Sequence, residues 1–334
     1  MHYPGRKILR RALRPLKRRF FPGAIVLGYH RVADDPWDPL SLQVKPQHFT
    51  AQLAELQRLR TVISLRELME RKAAGETLDR YAVLTFDDGY RDFAETVTPI
   101  AGKACVPVTV FVASGCTGHQ FWWEEMTALL APGVQGSSSL ELRLGASETL
   151  RFAQMVRSDA RAAAVDALGA RLSCAERETV DAVLEQLRAW VGQDGKPSPA
   201  GVPMGAEALV ELARAPHVEI GGHTVSHCCL KRLAVEQQRR EIAQNKADLE
   251  SLCGVPLRVF SYPNGSLSRQ TPGLVEEVGY SCACASGDGV VSSRTDPFRI
   301  PRLWVPDIAG AEFRRWLGNW VSEAHASGFG ARRY

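Results

Sequence analysis

The sequence predicts an α/β protein built around a parallel β-sheet. Short apolar segments bounded by turn residues recur along the chain, and segments with helical spacing of apolar residues lie between them. The composition is that of an ordinary globular protein, because 45% of the 334 residues are hydrophobic and 23% are charged. A chain of this length holds about two domains of average size or a single large α/β barrel.

The predicted strands are apolar or β-branched runs that end at turn or polar residues. They cover residues 24–29, 82–86, 106–112, 218–220, 259–262, 280–285 and 299–305. Two amphipathic helices are predicted between these strands. The segment Pro46 to Leu59 carries its apolar residues on one side, and the segment Val235 to Leu252 stops before Gly254, as a helix should.

The interval from about Gly118 to Pro203 interrupts this alternation. It contains an aromatic and acidic string at 121–125, a Gly/Ser segment at 136–139, helical patterns near 147–171 and 175–191, and a Gly/Pro-rich linker at 192–203. We interpret it as an insertion that covers one face of a barrel. The predicted domain organisation is a basic arm (1–22), a barrel (23–310) that contains this insertion, and a C-terminal tail (311–334).

Charge is distributed unevenly along the chain. The first 20 residues carry eight basic and no acidic side chains: Arg6, Lys7, Arg10, Arg11, Arg14, Lys17, Arg18 and Arg19. The rest has 33 basic and 37 acidic residues, so a net charge of +4 conceals a body of charge −4. A slightly acidic body argues against nucleic-acid binding.

The basic arm also has apolar residues at near-helical spacing, such as Ile8, Leu13, Leu16 and Phe20. This pattern predicts peripheral contact of residues 1–20 with an anionic membrane surface. The alternative is a flexible, solvated arm, which Pro15 favours by weakening a continuous helix.

No apolar run reaches the roughly 20 residues that a membrane-spanning helix needs. The basic stretch is followed by a predicted strand and not by a signal-peptide cleavage site. The eight cysteines form no C-x-x-C pair. We therefore expect a cytoplasmic protein with reduced thiols, which its basic arm could hold at the membrane surface.

The most informative string is TFDDGY at residues 85–90, directly after a predicted strand. Asp87 and Asp88 would lie at the carboxyl end of a parallel strand, where barrel enzymes build their active sites. Adjacent carboxylates repel each other, so a cation or a shared proton is expected beside them. Taken alone, the string also fits a solvated turn.

A second string, GGHTVSH at residues 221–227, follows another predicted strand. Histidines four residues apart on a helical turn, His223 and His227, would project to the same side and could bind one metal ion. Taken alone, such a pair can equally be structural. Together with a carboxylate of the first string, it forms a set of two histidines and one carboxylate that leaves metal positions open for water and substrate.

These two strings and FSYPNG at residues 260–265, in this order, resemble the polysaccharide deacetylase family, carbohydrate esterase family 4. The resemblance covers about residues 24–118 and 204–305. It implies a distorted (β/α)7-type barrel and a metal-dependent hydrolase that removes N-acetyl or O-acetyl groups from sugars.

The resemblance also implies roles for individual residues. Asp88, His223 and His227 would bind the metal, usually zinc, although such a site accepts several divalent ions. Asp87 would be the general base that deprotonates the attacking water. The backbone N–H of Tyr90 would help to stabilise the oxyanion.

The proton donor for the leaving amine is expected to be His30. Family members usually take this histidine from a late strand, but the only histidine after Val305 is His325, in a polar tail. Near the start, the strand-like run 25–29 is followed directly by His30. This order resembles a permuted branch of the family. The alternative is a core histidine at the end of the first strand.

The third motif departs from the family pattern, since Ser261 occupies the position of an arginine that pairs with the catalytic base. Arg302, near the end of the last predicted strand, could supply this cation from another strand; the alternative is an exposed surface arginine. Further candidates bind substrate or line the groove, or else pack in the core: Tyr262, Pro263, Asn264, Trp304, Trp122 and Trp123. Cys228 could approach the metal, although we expect it to point elsewhere.

The sequence thus predicts a metal-dependent deacetylase that acts on a glycan: an exopolysaccharide, a lipid-linked oligosaccharide or a nucleotide-sugar-derived precursor. Two alternatives remain. The same site could hydrolyse a small cyclic amide or imide, or the missing arginine could mark a carbohydrate-binding protein without activity. The sequence does not predict the oligomeric state.

Overall fold

Eight parallel strands form the central sheet of this computed structural model, which describes residues 23–145, 148–192 and 201–323. The basic arm with its predicted membrane contact, most of the Gly/Pro linker, and residues 324–334 with His325 lie outside the described residues. None of the described helices is long and apolar enough to cross a bilayer.

The strands are β1 Ile25–Tyr29, β2 Arg31–Val32, β3 Gln43–Val44, β4 Thr61–Val62, β5 Tyr81–Phe86, β6 Val108–Val112, β7 Ser139–Leu144, β8 Glu148–Ala153, β9 Val218–Gly222, β10 Val259–Ser261, β11 Cys282–Cys284 and β12 Leu303–Trp304. The helices are α1 Pro46–Leu59, α2 Leu65–Ala73, α3 Thr98–Lys103, α4 Trp122–Leu129, α5 Ser158–Leu172, α6 Arg177–Val191, α7 Ala206–Leu212, α8 Val235–Cys253, α9 Thr271–Glu277 and α10 Gly310–Glu323.

The order of strands across the sheet is β11-β10-β9-β6-β5-β1-β12, with β4 beside β5. Single bridges from Cys284 to Ile300 and from Gly287 to Arg302 link β11 to the segment that leads into β12. The two ends of the row are therefore joined, and the strands surround a common axis. This arrangement confirms the predicted (β/α)7-type barrel.

Side chains alternate along the strands between the barrel interior and the outer layer beneath the helices. In β5, Val83 packs in the interior with Phe111 and Val259, whereas Leu84 packs outward with α1 residues such as Phe49. Interior positions near the carboxyl ends of the strands are polar, as Thr85 and Ser261 show. The barrel therefore has an apolar lower core and a polar upper end.

The predicted strands and the two predicted helices are confirmed, with small shifts at their ends. The segment 299–305 is the least regular, because only Leu303 and Trp304 pair continuously, with β1. The predicted tail begins with α10, which packs on the outer layer through buried Phe313 and Leu317.

The insertion differs from its prediction in one element. We predicted a helix from about residue 147, but the helix α5 begins at Ser158 and is preceded by the antiparallel hairpin β7–β8. Leu140 and Leu142 of β7 are buried and alternate with exposed residues, which is the pattern of a strand with one covered face. This hairpin and α4, α5 and α6 form a second core that includes Tyr90 of the barrel.

The expectation of reduced thiols is wrong for one pair. Cys174, after α5 of the insertion, forms a disulfide with Cys229, which lies two residues after His227. The sequence offered no pairing signal, because the contact depends on how the insertion packs on the barrel. Disulfides persist mainly in oxidising compartments, so this bond weighs against the cytoplasmic location, which stays a prediction.

Removal of this disulfide should destabilise the protein. The bond closes a loop with a sequence separation of 55 residues. The loss of unfolded-state entropy predicts that Cys174→Ser with Cys229→Ser lowers the free energy of unfolding by about 4 kcal/mol in urea titrations. The matched control is Cys105→Ser, which removes an exposed free thiol. Thiol titration of the denatured, unreduced protein should find the six free cysteines and not eight; eight would contradict the bond.

Candidate active site

The predicted site residues come together at the carboxyl ends of the barrel strands. Asp87 and Asp88 follow β5, His223 follows β9, and His30 follows β1. Because parallel strands end at the same edge, residues far apart in sequence meet there. All of them line one cavity of about 210 Å³.

Asp88, His223 and His227 form a compact cluster of potential metal ligands. One donor atom from each lies within 4.8 Å of the other two. Asp88 Oδ1 is 3.1 Å from His227 Nε2 and 3.5 Å from His223 Nε2. This oxygen is buried and has no hydrogen-bond partner of good geometry. Two imidazoles and one orphaned carboxylate oxygen are a donor set that fits a divalent ion.

The charge of Asp88 is supported by its neighbours. Burial by itself would raise the pKa of this carboxyl, but the two histidines more than offset that effect, and its pKa lies well below the ordinary value of 3.8. The residue is therefore a carboxylate at neutral pH, which is the form that binds a cation.

The spacing of the two histidines predicts a helical turn, and this prediction is wrong. Residues 223–227 form a loop in which Thr224 and His227 have φ values of 61° and 54°. Asp88 is also left-handed, with φ at 73°. Such conformations are costly for residues other than glycine and persist where surrounding contacts fix them.

Helix α8 supplies contacts that fix this loop. Asn245 is buried, accepts the backbone N–H of His223 through Oδ1, and donates through Nδ2 to the carbonyl of Thr224. Glu241 accepts the backbone N–H groups of Val225 and Ser226. Neither residue was predicted from the sequence; the available signal was a polar Asn245 among the inward residues of α8.

A backbone carbonyl orients His223. Its Nδ1 lies 2.7 Å from the carbonyl oxygen of Ser261. A ring that donates from Nδ1 to this carbonyl leaves Nε2 as the free donor atom toward Asp88, which is how proteins commonly orient a metal-binding imidazole.

Asp87 pairs with Arg302 inside the barrel. Arg302 donates from both terminal nitrogens to the two carboxylate oxygens, at 2.6 and 2.8 Å, and its side chain is completely buried. Burial would raise the pKa of Asp87, but Arg302 and then His223 hold it below the usual value. The arginine expected at Ser261 is thus supplied from the segment before β12, and the Ser261 hydroxyl accepts a further bond from Arg302 at 2.9 Å.

His30 faces the same cavity and stacks on Trp304, with ring centres 4.5 Å apart. Burial lowers the pKa of His30, and Arg302 and His223 lower it further, against the opposing effect of Asp88 and Asp87. A lowered pKa makes the protonated ring a stronger acid and also reduces the fraction of rings that carry the proton at a given pH.

The structure divides the predicted groove residues into two groups. Trp122, Trp123, Trp304 and Asn264 line the cavity. Tyr262 and Pro263 do not: both are buried, and the Tyr262 hydroxyl donates to the carbonyl of Phe298. The prediction for these two is wrong because Ser261 points into the barrel, so that strand alternation turns Tyr262 into the outer layer.

The side chain of Tyr90 does not line the cavity but is bonded to Trp123, which does. The buried hydroxyl donates to Glu124 and accepts from Trp123 Nε1 at 2.7 Å. Trp123 in turn lies beside His227, with ring centres 4.7 Å apart. Burial raises the pKa of Glu124 to about 7. The predicted role of the Tyr90 backbone N–H stays a prediction.

Cys228 is half-buried and does not belong to the ligand cluster found among the described residues. Burial raises the pKa of its thiol to about 12, which disfavours the thiolate that metals bind.

A cluster of two histidines and an aspartate beside a carboxylate–arginine pair, at the carboxyl end of an α/β barrel, is typical of a metal-dependent hydrolase. The chain belongs to the polysaccharide deacetylase family: the sequence profile of that family, described as polysaccharide deacetylase, matches residues 74–138 and 179–283. The matched segments contain Asp87, Asp88 and both histidines of the cluster. His30 and Arg302 lie outside them.

Similar proteins carry related names. YxkH of Bacillus subtilis (strain 168), provisionally named a polysaccharide deacetylase, is 26% identical over 112 residues, which are 33% of this chain and 40% of that protein. The chain thus spans less than half the length of this relative.

Two solved structures share the fold. The Streptococcus pyogenes deacetylase PplD, in complex with acetate, is 16% identical with a TM-score of 0.58, covering 89% of this chain and 98% of that chain. IcaB from Ammonifex degensii is 17% identical with a TM-score of 0.56, covering 90% and 97%.

Arg302→Ala should destabilise the protein in a pH-dependent way. It leaves the Asp87 carboxylate buried without its cation, which predicts a loss of about 3–5 kcal/mol in the free energy of unfolding at pH 7. Because the pair lowers the pKa of Asp87, its stabilisation is present above the ordinary value of 3.8 and is lost as the pH falls through the lowered value. The difference between the two proteins should therefore shrink in acid.

Urea titrations at several pH values measure this difference. The control is Arg302→Ala combined with Asp87→Asn, which buries no charge and should recover more than half of the loss. Equal stability of Arg302→Ala and the unsubstituted protein at pH 7 would contradict the role of the pair.

Proposed function

We propose that this protein is a metal-dependent deacetylase that hydrolyses N-acetyl groups, and by the same chemistry O-acetyl groups, of a glycan. The observation that carries the proposal is the Asp87–Arg302 pair next to the Asp88, His223 and His227 cluster in one cavity. A binding module has no need for a carboxylate held ionised beside its ligand cluster. The complex of PplD with acetate, the product of deacetylation, agrees with this reading.

Asp88, His223 and His227 would hold a divalent ion, for which zinc is the first candidate. When bound, such an ion polarises the acetyl carbonyl and makes a water molecule more acidic. Asp87 acts as the general base. Its Oδ2 is 3.9 Å from His223 Nε2, so the carboxylate borders the ligand cluster without belonging to it. The bidentate contact with Arg302 fixes its orientation, and the lowered pKa keeps it ionised and able to accept a proton from water.

His30 would protonate the departing nitrogen. It lines the same cavity at the end of β1, the strand that pairs with β5, and stacking on Trp304 fixes its ring plane. Cleavage of an amide needs this proton, because an amine anion is too basic to leave unaided. The base and the acid thus come from two neighbouring strands, β5 and β1, so that separate residues activate the water and protonate the amine.

Tryptophan side chains favour a sugar as the substrate. Trp122 and Trp123 lie on the insertion side of the cavity and Trp304 on the barrel side. Flat aromatic rings can pack against the apolar faces of sugar rings.

Asp87→Asn should abolish acetate release while metal binding persists. We expect the rate with N-acetylated glucosamine oligomers and zinc to fall by about 10²–10⁴-fold, since amide cannot accept the proton. Equilibrium dialysis with zinc should still find one bound ion per chain. Asp88→Asn should instead lose the ion along with the activity, because it removes the negative charge of the buried ligand carboxylate.

Cys228→Ser is the matched control, since it lies next to His227 outside the cluster, and it should keep both metal and activity. Undiminished release by Asp87→Asn would refute the assignment of the base. Hydrolysis of a small cyclic amide without release of acetate from any glycan would favour the alternative substrate class.

His30→Ala should act selectively on substrates with poor leaving groups. We expect de-N-acetylation to fall by about 10²–10⁴-fold and hydrolysis of 4-nitrophenyl acetate by less than about tenfold, because nitrophenolate leaves without protonation. The ratio of the two rates is the measurement. Equal losses on both substrates would assign His30 a structural role.

A further inference from the structure

The cavity above the ligand cluster is surrounded by an unbroken series of contacts between chain segments. On the barrel side, Trp304 stacks on His30. The next residue, Arg31, donates its backbone N–H to the carbonyl of Leu42 at 3.1 Å. The loop that ends at Leu42, here the 33–42 loop, is thereby attached beside the predicted proton donor.

The 33–42 loop is joined to the insertion. A Cβ built on Gly169 of α5 would lie 3.3 Å from Leu40 Cδ2, and both residues line the cavity. Trp37 Nε1 donates to the carbonyl of Thr127 in α4 at 3.0 Å. The loop and the insertion therefore meet without a gap on this side.

The insertion returns to the barrel on the opposite side. Asn264 Nδ2 donates to the carbonyl of Ser173 at 3.3 Å, and both residues line the cavity. The neighbouring Cys174–Cys229 disulfide attaches the same end of α5 to the loop that follows His227. A covalent bond thus holds this part of the wall in place.

The last part of the wall leads back to Trp304. Gly265 and Ser286 are so close that a Cβ on Gly265 would lie 2.3 Å from the Ser286 hydroxyl. Gly287 pairs with Arg302, two residues before Trp304. The contacts therefore form a closed ring, which we call the cavity ring.

A closed ring restricts how a glycan can bind. An internal sugar of a chain reaches an active site only through a groove that is open at two ends, because the chain must enter and leave. The cavity volume of about 210 Å³ is also below the roughly 300–1,000 Å³ of pockets for drug-sized ligands. Building on the proposed function, we infer that the enzyme deacetylates the terminal sugar of an acetylated glycan and not its internal sugars.

The number of acetyl groups released per chain tests this inference. The probes are fully N-acetylated glucosamine oligomers of three to six residues, with β-1,4 and with β-1,6 linkage, incubated with zinc until release stops. The expected result is one acetate per chain at every length, and tandem mass spectrometry should place the free amine at an end of the oligomer. Acetate that increases with chain length, or free amines at internal sugars, would overturn the inference.

A variant with an opened cavity ring tests whether the ring causes the specificity for the terminal sugar. Leu40→Ala with Asn264→Gly removes one contact on each side, and glycine tolerates the φ of 53° that Asn264 adopts. We expect this variant to release two or more acetates from each hexamer. The control variant Leu59→Ala shortens an exposed leucine at the end of α1 and should still release one acetate per hexamer. An opened variant that still releases one acetate per chain would overturn the assignment to the ring.

The outcomes separate this inference from the proposed function. Release from internal sugars leaves the deacetylase proposal intact and rejects only the terminal specificity. No release from any oligomer, nor from N-acetylglucosamine itself, would count against the deacetylase proposal and reject both.

Discussion

The buried ion pair of Asp87 and Arg302 is the interaction on which the geometry of the site depends. Removing two charges from water costs several kcal/mol for each, and only close, well-oriented contacts recover that cost. Here the two N–H···O bonds and the Ser261 hydroxyl supply them. Because Asp87 follows β5 and Arg302 precedes β12, the pair spans β1, the strand between them. The carboxylate, the cation and His30 at the end of β1 are thereby held in one arrangement.

Glycines at two interior positions of the barrel leave space for the aromatic rings that surround this pair. A Cβ on Gly28 of β1 would lie 2.9 Å from the Trp304 ring, and a Cβ on Gly221 of β9 would lie 2.6 Å from the Phe111 ring. The guanidinium carbon of Arg302 lies 4.7 Å from the Trp304 ring centre and 5.6 Å from that of Phe111. Two glycines, on β1 and on β9, thus allow two aromatic rings to lie beside the buried cation, which favours its charged form in a dry environment.

The site residues that could be predicted from the sequence are those that follow directly after a strand. The position of Asp87, Asp88 and His223 depends only on the fact that parallel strands end at a common edge, and a departure at Ser261 was enough to suggest Arg302. Contacts between distant segments were not predictable in this way. The left-handed loop at His227 depends on Glu241 and Asn245 of α8, and the Cys174–Cys229 bond depends on the docking of the insertion. For β10, the alternation of side chains along the strand was sufficient to predict that Ser261 points inward and that Tyr262 lies in the outer layer.

The insertion contributes to the site as well as covering it. Tyr90 lies two residues after Asp88, and Cys229 lies two residues after His227; both are bonded to insertion residues, Tyr90 to Trp123 and Cys229 to Cys174. Left-handed conformations at Asp88 and His227 each cost of order 1–3 kcal/mol, so the two ligand loops need external support. The barrel therefore supplies the donor atoms, whereas the insertion and α8 hold the loops that carry them. Any change in how the insertion packs would alter the ligand geometry and the access to the cavity together, because the same contacts determine both.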